Sequence, residues 1–271
     1  YTRGYKAGGF NAGATTLPLS VTTDEETIDA YEVGMKKTFA EQNLQVNASL
    51  FYYDYQNLQA PLSVVDAVLQ TSRTEFFNLP KASNKGFELE ATWVPIESLQ
   101  VLFNYSYLDA QIEEACCYSD PEDPRAIAPG ASPSGPPTAT GERGQDLSGN
   151  RLPSSTPHRV TINTNYTFEF EPGALALSAT YVWKDETYYS IFNRWYNKAK
   201  AYEQVDLRAI FTDADDKFTV IGYVKNVFDK DALSGIGASR INTPGSLQGF
   251  INLTPSFINP RTYGVELQYR F

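Results

Sequence analysis

Residues 261–271 read RTYGVELQYRF, with Tyr263, Val265, Leu267, Tyr269 and Phe271 on every second place and Gly264, Glu266, Gln268 and Arg270 between them. Successive side chains of a strand point to opposite faces, so the stretch predicts one β-strand with an apolar face and a polar face. Chain ends usually fray. A final strand in full alternation up to a phenylalanine is expected where hydrogen bonds hold both of its edges, as in a closed barrel.

The same period recurs along the chain. LQVNASLFY (44–52) sets Leu44, Val46, Ala48, Leu50 and Tyr52 against Gln45, Asn47 and Ser49, and GFELEATW (86–93) sets Phe87, Leu89, Ala91 and Trp93 against Glu88, Glu90 and Thr92. Val160, Ile162, Tyr166 and Phe168 likewise alternate with Thr161, Asn163, Asn165 and Thr167. Ten strands are predicted, near 1–11, 26–39, 44–63, 68–94, 98–111, 156–169, 173–187, 197–212, 217–229 and 260–271. Their connections take turns. AEQN (40–43), PIES (95–98), EPG (171–173) and DADDK (213–217) are tight and polar, whereas the runs at 11–25, about 112–155, near 188–196 and 231–258 are longer. Short turns at one end and long loops at the other predict an all-β, antiparallel up-and-down transmembrane barrel. A strand of about 14 residues, tilted by about 40°, rises about 35 Å and clears a hydrocarbon core. Phe39, Trp93, Phe168, Phe211 and Phe271 end the five strands that run toward the tight turns, and Tyr31, Tyr52, Tyr107, Tyr181 and Trp183 lie toward the opposite ends. Rings at two heights are expected to form two interfacial girdles.

Composition narrows the function. The 271 residues carry a net charge of -10, with 18 Tyr and 16 Phe against a single His. Acidity and scattered cations exclude nucleic-acid binding by counterion release. No run approaches the roughly 18 to 20 apolar residues of a spanning helix, and no signal segment opens the chain. The opening YTRGYKAGGFN reads as the middle of something, so residues 1–271 are read as one portion of a longer barrel. The lone His158 counts against metal clusters and hydrolase triads. Neither catalytic residues, a bound metal nor a cofactor is expected.

Several stretches together resemble the C-terminal part of the barrel of TonB-dependent outer-membrane receptors: GYKAGGFN (4–11), AYEVGMKKTF (30–39), FYYDYQNLQ (51–59), KASNKGFELEATW (81–93), DLSGNRLPSSTPHR (146–159), VDLRAIF (205–211), KNVFDKDA (225–232) and PRTYGVELQYRF (260–271). The resemblance implies the last ten or so strands of a twenty-two-stranded barrel whose lumen holds a plug, with the plug and the TonB-contacting segment absent from this chain. It further implies energised uptake of a scarce nutrient, most often a ferric siderophore, across the outer membrane of a Gram-negative bacterium. The implied partners are TonB, outer-membrane lipid and lipopolysaccharide, a small organic or iron-chelate ligand, and the barrel-assembly machinery, whose signal Tyr269 and Phe271 resemble.

Site residues are sought in the loops. DETYYSIFNRWYNKA (185–199) sets Tyr188, Tyr189, Phe192, Trp195 and Tyr196 beside Asn193 and Arg194. Rings beside an arginine suit a ligand with an anionic or iron-chelating part, by stacking and charge-assisted hydrogen bonds. The same rings suit a hairpin tip above the girdle. Glu32, Glu88, Glu90, Glu169 and Arg208 fall on the lumen register, as guides for substrate or as hydrated lining. Cys116 and Cys117 are adjacent in the longest loop and are compatible with a vicinal bond, with pairing elsewhere or with free thiols. That loop's acidic residues, among them Asp120, read as a solvated face. An autonomous ten-stranded barrel enzyme of surface-protease type fits the strand count as well; it predicts direct pairing of residues 1–11 with 260–271.

Overall fold

The computed structural model describes residues 1–11, 22–66, 71–116, 118, 120, 145–242 and 249–271. Ten strands form one antiparallel sheet in chain order: β1 (Thr2–Lys6), β2 (Glu26–Phe39), β3 (Leu44–Asp66), β4 (Thr71–Ile96), β5 (Leu99–Glu114), β6 (His158–Phe170), β7 (Gly173–Lys184), β8 (Tyr202–Asp213), β9 (Phe218–Lys225) and, after an excursion, β12 (Thr262–Tyr269). Each expected strand is present. The excursion differs from the sequence expectation: Leu233–Asn242 (β10) and Gly249–Phe257 (β11) pair with each other within the long connection at 231–258. Gly235 and Gly237 remove two successive side chains from one register of β10, which breaks the alternation in the sequence. The first strand is shorter than expected, because Gly9–Phe10 leaves the main sheet to pair with Thr22–Thr23.

All four tight connections fall where expected. Asn43 closes the first in the left-handed region (φ 47°), its N–H donating to the Ala40 carbonyl at 3.2 Å, and Asp216 closes the last at φ 54°. Short polar side chains tolerate this backbone better than branched ones.

The register carries a single apolar face round the wall. Met35, Ala48, Leu89, Tyr105, Val160 and Trp183 stand side by side across six strands, and the next row in is Lys36, Asn47, Glu90, Asn104, Thr161 and Val182. Val33, Met35, Leu50, Leu207 and Leu267 are exposed, the inverse of a water-soluble core and the arrangement that a lipid-facing surface requires. Tyr31 and Tyr52 border this band on one side, Phe39, Trp93 and Phe168 on the other, all exposed. Beyond the upper border the outward face turns ionic: Lys85 meets Asp109 at 3.2 Å. From Tyr31 to Phe39 the tilted strand rises about 20 Å, near the height of a barrel's apolar band.

The inward register carries Glu32, Glu88, Glu90, Glu169 and Arg208, as the alternation predicts. Amides link it laterally: Asn47 Nδ2 donates to Glu90 at 3.3 Å, and Asn163 Nδ2 donates to Thr180 Oγ1 at 2.7 Å and Ser178 Oγ at 3.2 Å. Among the described residues β1 pairs in the main sheet only with β2, and β12 only with β9. The ten strands therefore do not close on themselves, which removes the self-contained ten-stranded barrel.

Candidate ligand-binding mouth

At the end opposite the tight turns, β3, β4 and β5 run past the girdle and support a small apolar core. Ala60, Phe77, Leu79, Ile112, Ala115, Leu147, Ile191 and Phe192 form it, with Leu58, Tyr118 and Leu152 packed alongside. These residues come from three strand ends and two loops, so the core fastens loops to the wall. Residues 145–152 are sewn to the end of β5 by backbone bonds: Ile112 N–H to Asn150 O and Gly149 N–H to Ile112 O, at 2.8 and 2.7 Å, and Leu147 N–H to Ala115 O at 2.8 Å. Asp146 accepts from the Ser148 N–H at 2.9 Å, and hydrogen bonds from Ser148 hold its carboxyl below the usual carboxylate range.

The aromatic segment is fastened in turn to this layer. Asn193, left-handed at φ 48°, accepts from the Arg151 N–H at 2.8 Å and donates through Nδ2 to the Arg151 carbonyl at 2.9 Å. Asn150 Nδ2 donates to the Ile191 carbonyl at 2.9 Å, and the Ser154 N–H to that of Tyr188 at 2.7 Å. Asparagine satisfies backbone donor and acceptor at once, which suits a crossing of two loops.

The six residues expected to bind substrate divide. Phe192 and Tyr196 are buried, at 4% and 8% exposure, Phe192 within the apolar core. Arg194 donates from Nε to Asp120 Oδ2 at 3.0 Å, and the Tyr196 hydroxyl reaches the same oxygen at 3.4 Å. Asp120 is fully buried. Its reading as part of a solvated acidic face is thus overturned: it is the counter-charge that locks the acidic loop onto the aromatic segment. Tyr188 is half-buried between two cations, with the Arg151 guanidinium 5.9 Å and the Lys198 ammonium 5.6 Å from its ring. Glu186 binds both cations, at 3.6 and 2.9 Å, and its hydrogen bond holds Lys198 above the ordinary lysine value. Tyr189 donates its hydroxyl to the Ser234 carbonyl at 2.6 Å, and burial pushes its phenol up. Trp195 stands out at 83% exposure, edge-on to Tyr196 with centroids 5.6 Å apart. Exposed ring area at this end therefore lies on Trp195 and on the half-buried Tyr188 and Tyr189.

Beside this cap, Leu58, Ala60, Pro61, Leu79, Leu152 and Tyr189 line a cavity of about 350 Å³. Cys116 is disulfide-bonded, and the one other cysteine of the chain, Cys117, lies outside the described residues. His158 sits on the outward face, its Nδ1 2.8 Å from the Tyr105 hydroxyl and its ring stacked on that tyrosine. Among the described residues no group of three or more His, Cys, Asp and Glu side chains could hold a metal ion.

Residues 1–227 match the model of the TonB dependent receptor-like β-barrel family. The chain is also similar to solved structures. The ferric yersiniabactin uptake receptor of Yersinia pestis matches with a TM-score of 0.68 at 19% identity, over 99% of this chain and 34% of that one. The ferric preacinetobactin receptor of Acinetobacter baumannii matches with 0.61 at 16% identity, over 98% and 33%. A siderophore receptor of the same organism matches with 0.58 at 18% identity, over 90% and 28%. The chain thus spans about a third of the length of these structures, and at such identities the likeness shows the fold. A lipid-facing band bordered by rings, tight turns at one end and a loop-built cap at the other agree with the family match, and the chain belongs to the TonB-dependent receptor-like β-barrel family of the Gram-negative outer membrane.

Proposed function

We propose that this chain is the C-terminal portion of the wall of a larger plugged barrel that imports a scarce nutrient by TonB-dependent active transport, the ligand being a ferric siderophore or a similar organic metal chelate. The observation that carries the reading is the mouth. Two loop segments are welded onto the ends of β3, β4 and β5 as a folded unit that keeps Trp195, Tyr188 and Tyr189 at its surface. Large, rigid rings bind planar chelating groups with little loss of rotamer freedom. Similarity to the ferric yersiniabactin and ferric preacinetobactin receptors supports the ligand class.

In this reading TonB supplies the energy through a segment outside this chain. Lipid and lipopolysaccharide surround the outward face, and Tyr269 with Phe271 present the signal to the barrel-assembly machinery. Cys116 bonds to its neighbour Cys117 and fixes a tight turn in the acidic loop. Trp195, Tyr188 and Tyr189 receive the ligand first, while Arg194, Phe192 and Tyr196 hold the loop that presents them.

The test is uptake of radiolabelled iron, supplied as a panel of siderophores, by cells that carry or lack the receptor. Uptake of at least one siderophore that requires both the receptor and TonB is the expected outcome. Accumulation that persists without TonB would show passive permeation and end this proposal. Trp195→Ala should weaken binding of that siderophore about three- to thirtyfold, the equivalent of about 0.6 to 2 kcal/mol of lost stacking.

A further inference from the structure

On the inward face, immediately below the cap, Arg159 of β6 stands directly opposite Lys184 of β7, and Lys184 stands opposite Tyr202 of β8. Arg159 continues the register of Thr161 and Asn163, and Lys184 that of Val182 and Thr180, so both belong to the lumen row. Like charges placed directly across two strands repel. Neither cation has an ion pair or side-chain hydrogen bond among the described residues, although Lys184 is only partly exposed.

Among the described residues each nearby carboxylate is engaged elsewhere. Asp185 accepts from the Glu186 N–H at 2.7 Å, and Glu186 binds Lys198 and Arg151. Asp206 accepts from Gln204 and from the Asn226 N–H, both at 2.8 Å. Glu203 lies on the outward register and meets Lys230 at 3.6 Å. Of the lumen acids, Glu32, Glu88 and Glu90 belong to β2 and β4, and Glu169 lies on β6 itself but at its opposite end, ten residues from Arg159. In a chain of net charge -10, the paired cations are thus a local feature.

We infer that Arg159 and Lys184 form an anion-binding pair on the inner wall below the mouth, and that the ligand is a small molecule bearing oxygen anions of carboxylate or catecholate type. A guanidinium and an ammonium side by side offer a planar fork and a mobile point charge, which together fit two oxygens of one chelating group. Tyr202, next in the row, supplies a ring and a hydroxyl against the same group. A bound anion removes the repulsion between the two cations, and this gives binding its driving force. The inference deepens the uptake reading by naming the ligand's charge, but the pair can be tested without transport.

The experiment uses the receptor purified from outer membranes into detergent and two probes of similar size: the triply negative ferric tris-catecholate and the neutral ferric tris-acetohydroxamate. Binding is followed by tryptophan fluorescence, and folding by resistance of the barrel to denaturation on unheated gels. Wild type should bind the negative complex in preference, the more weakly as salt is raised. Arg159→Gln combined with Lys184→Gln should lose at least tenfold for the negative probe, which is about 1.4 kcal/mol, with no change for the neutral one. Lys184→Glu, which gives Arg159 an ion pair and so does not strain the wall, should abolish the preference while the barrel stays folded. Exchange of the two cations, Arg159→Lys with Lys184→Arg, should keep it. A wild type that fails to bind the negative probe, or binds both alike, would overturn the inference, as would a loss shared equally by the two probes. None of those results would touch TonB-dependent uptake, which the transport assay decides alone.

Discussion

Asp120 shows how one residue can change its meaning between sequence and structure. In the chain it is one carboxylate in an acidic loop; in the fold it is fully buried against Arg194 and Tyr196. Removing one partner of a buried ion pair leaves the other charge desolvated and uncompensated. Asp120→Asn is therefore expected to loosen what the pair joins, Tyr118 and Asp120 on one side and 187–197 on the other, with faster amide hydrogen exchange there and none in β5 or β6; unchanged exchange in the aromatic segment would show that the apolar core alone holds it. Lys198 makes a different prediction. Its hydrogen bond to Glu186 raises its folded value above the ordinary 10.5. The contribution is thus fully present below about 10.5 and is lost only as pH rises through the raised folded value. The clasp around Tyr188 should stay closed through neutral pH and open in the alkaline range, read as the titration of the Lys198 side chain by NMR.

At the scale of the element, β4 depends on Gly86. A Cβ there would collide with the Tyr107 carbonyl oxygen of β5 and come within 2.9 Å of the Phe51 ring of β3. Phe51 lies over the space that the missing side chain leaves, 5.2 Å from the ring of Tyr53. An aromatic laid across a glycine restores contact that the strand would otherwise lack. Gly86→Val should therefore cost about 1 to 3 kcal/mol through overpacking, and Gly86→Ala somewhat less, measured as a lower urea midpoint of the barrel refolded in lipid vesicles. An equal midpoint would mean that β5 can shift to make room.

For the whole molecule, the claim with the widest reach is that the apolar face meets lipid. Leu89 lies half-way along β4 between Lys85 above the band and Trp93 at its lower border. Arginine at the middle of a lipid-facing wall costs about 2 to 4 kcal/mol. Leu89→Arg should show that loss in vesicle unfolding, whereas Ser49→Arg, on the inward register opposite Glu88, should cost less than about 1 kcal/mol. Equal losses would mean that the two faces are not separated by solvent as proposed.

Much of this architecture is written locally. Period two, the four tight turns and the terminal rings lie within short windows, and a one-residue slip would turn every side chain to the wrong face; hence all ten wall strands and both faces could be read from the sequence. The hairpin β10–β11 escaped because Gly235 and Gly237 carry no side chains to alternate. The mouth escaped for another reason. Arg194 and Asp120 are 74 residues apart in the chain, and Arg159 meets Lys184 only through the register of β6 on β7. Charges of this kind look alike in sequence, each a polar residue in a loop or on a lumen face. Only the folded wall decides which of them are buried together as opposite charges and which are left side by side as like ones, because the free energy of a charge is set by what surrounds it in space.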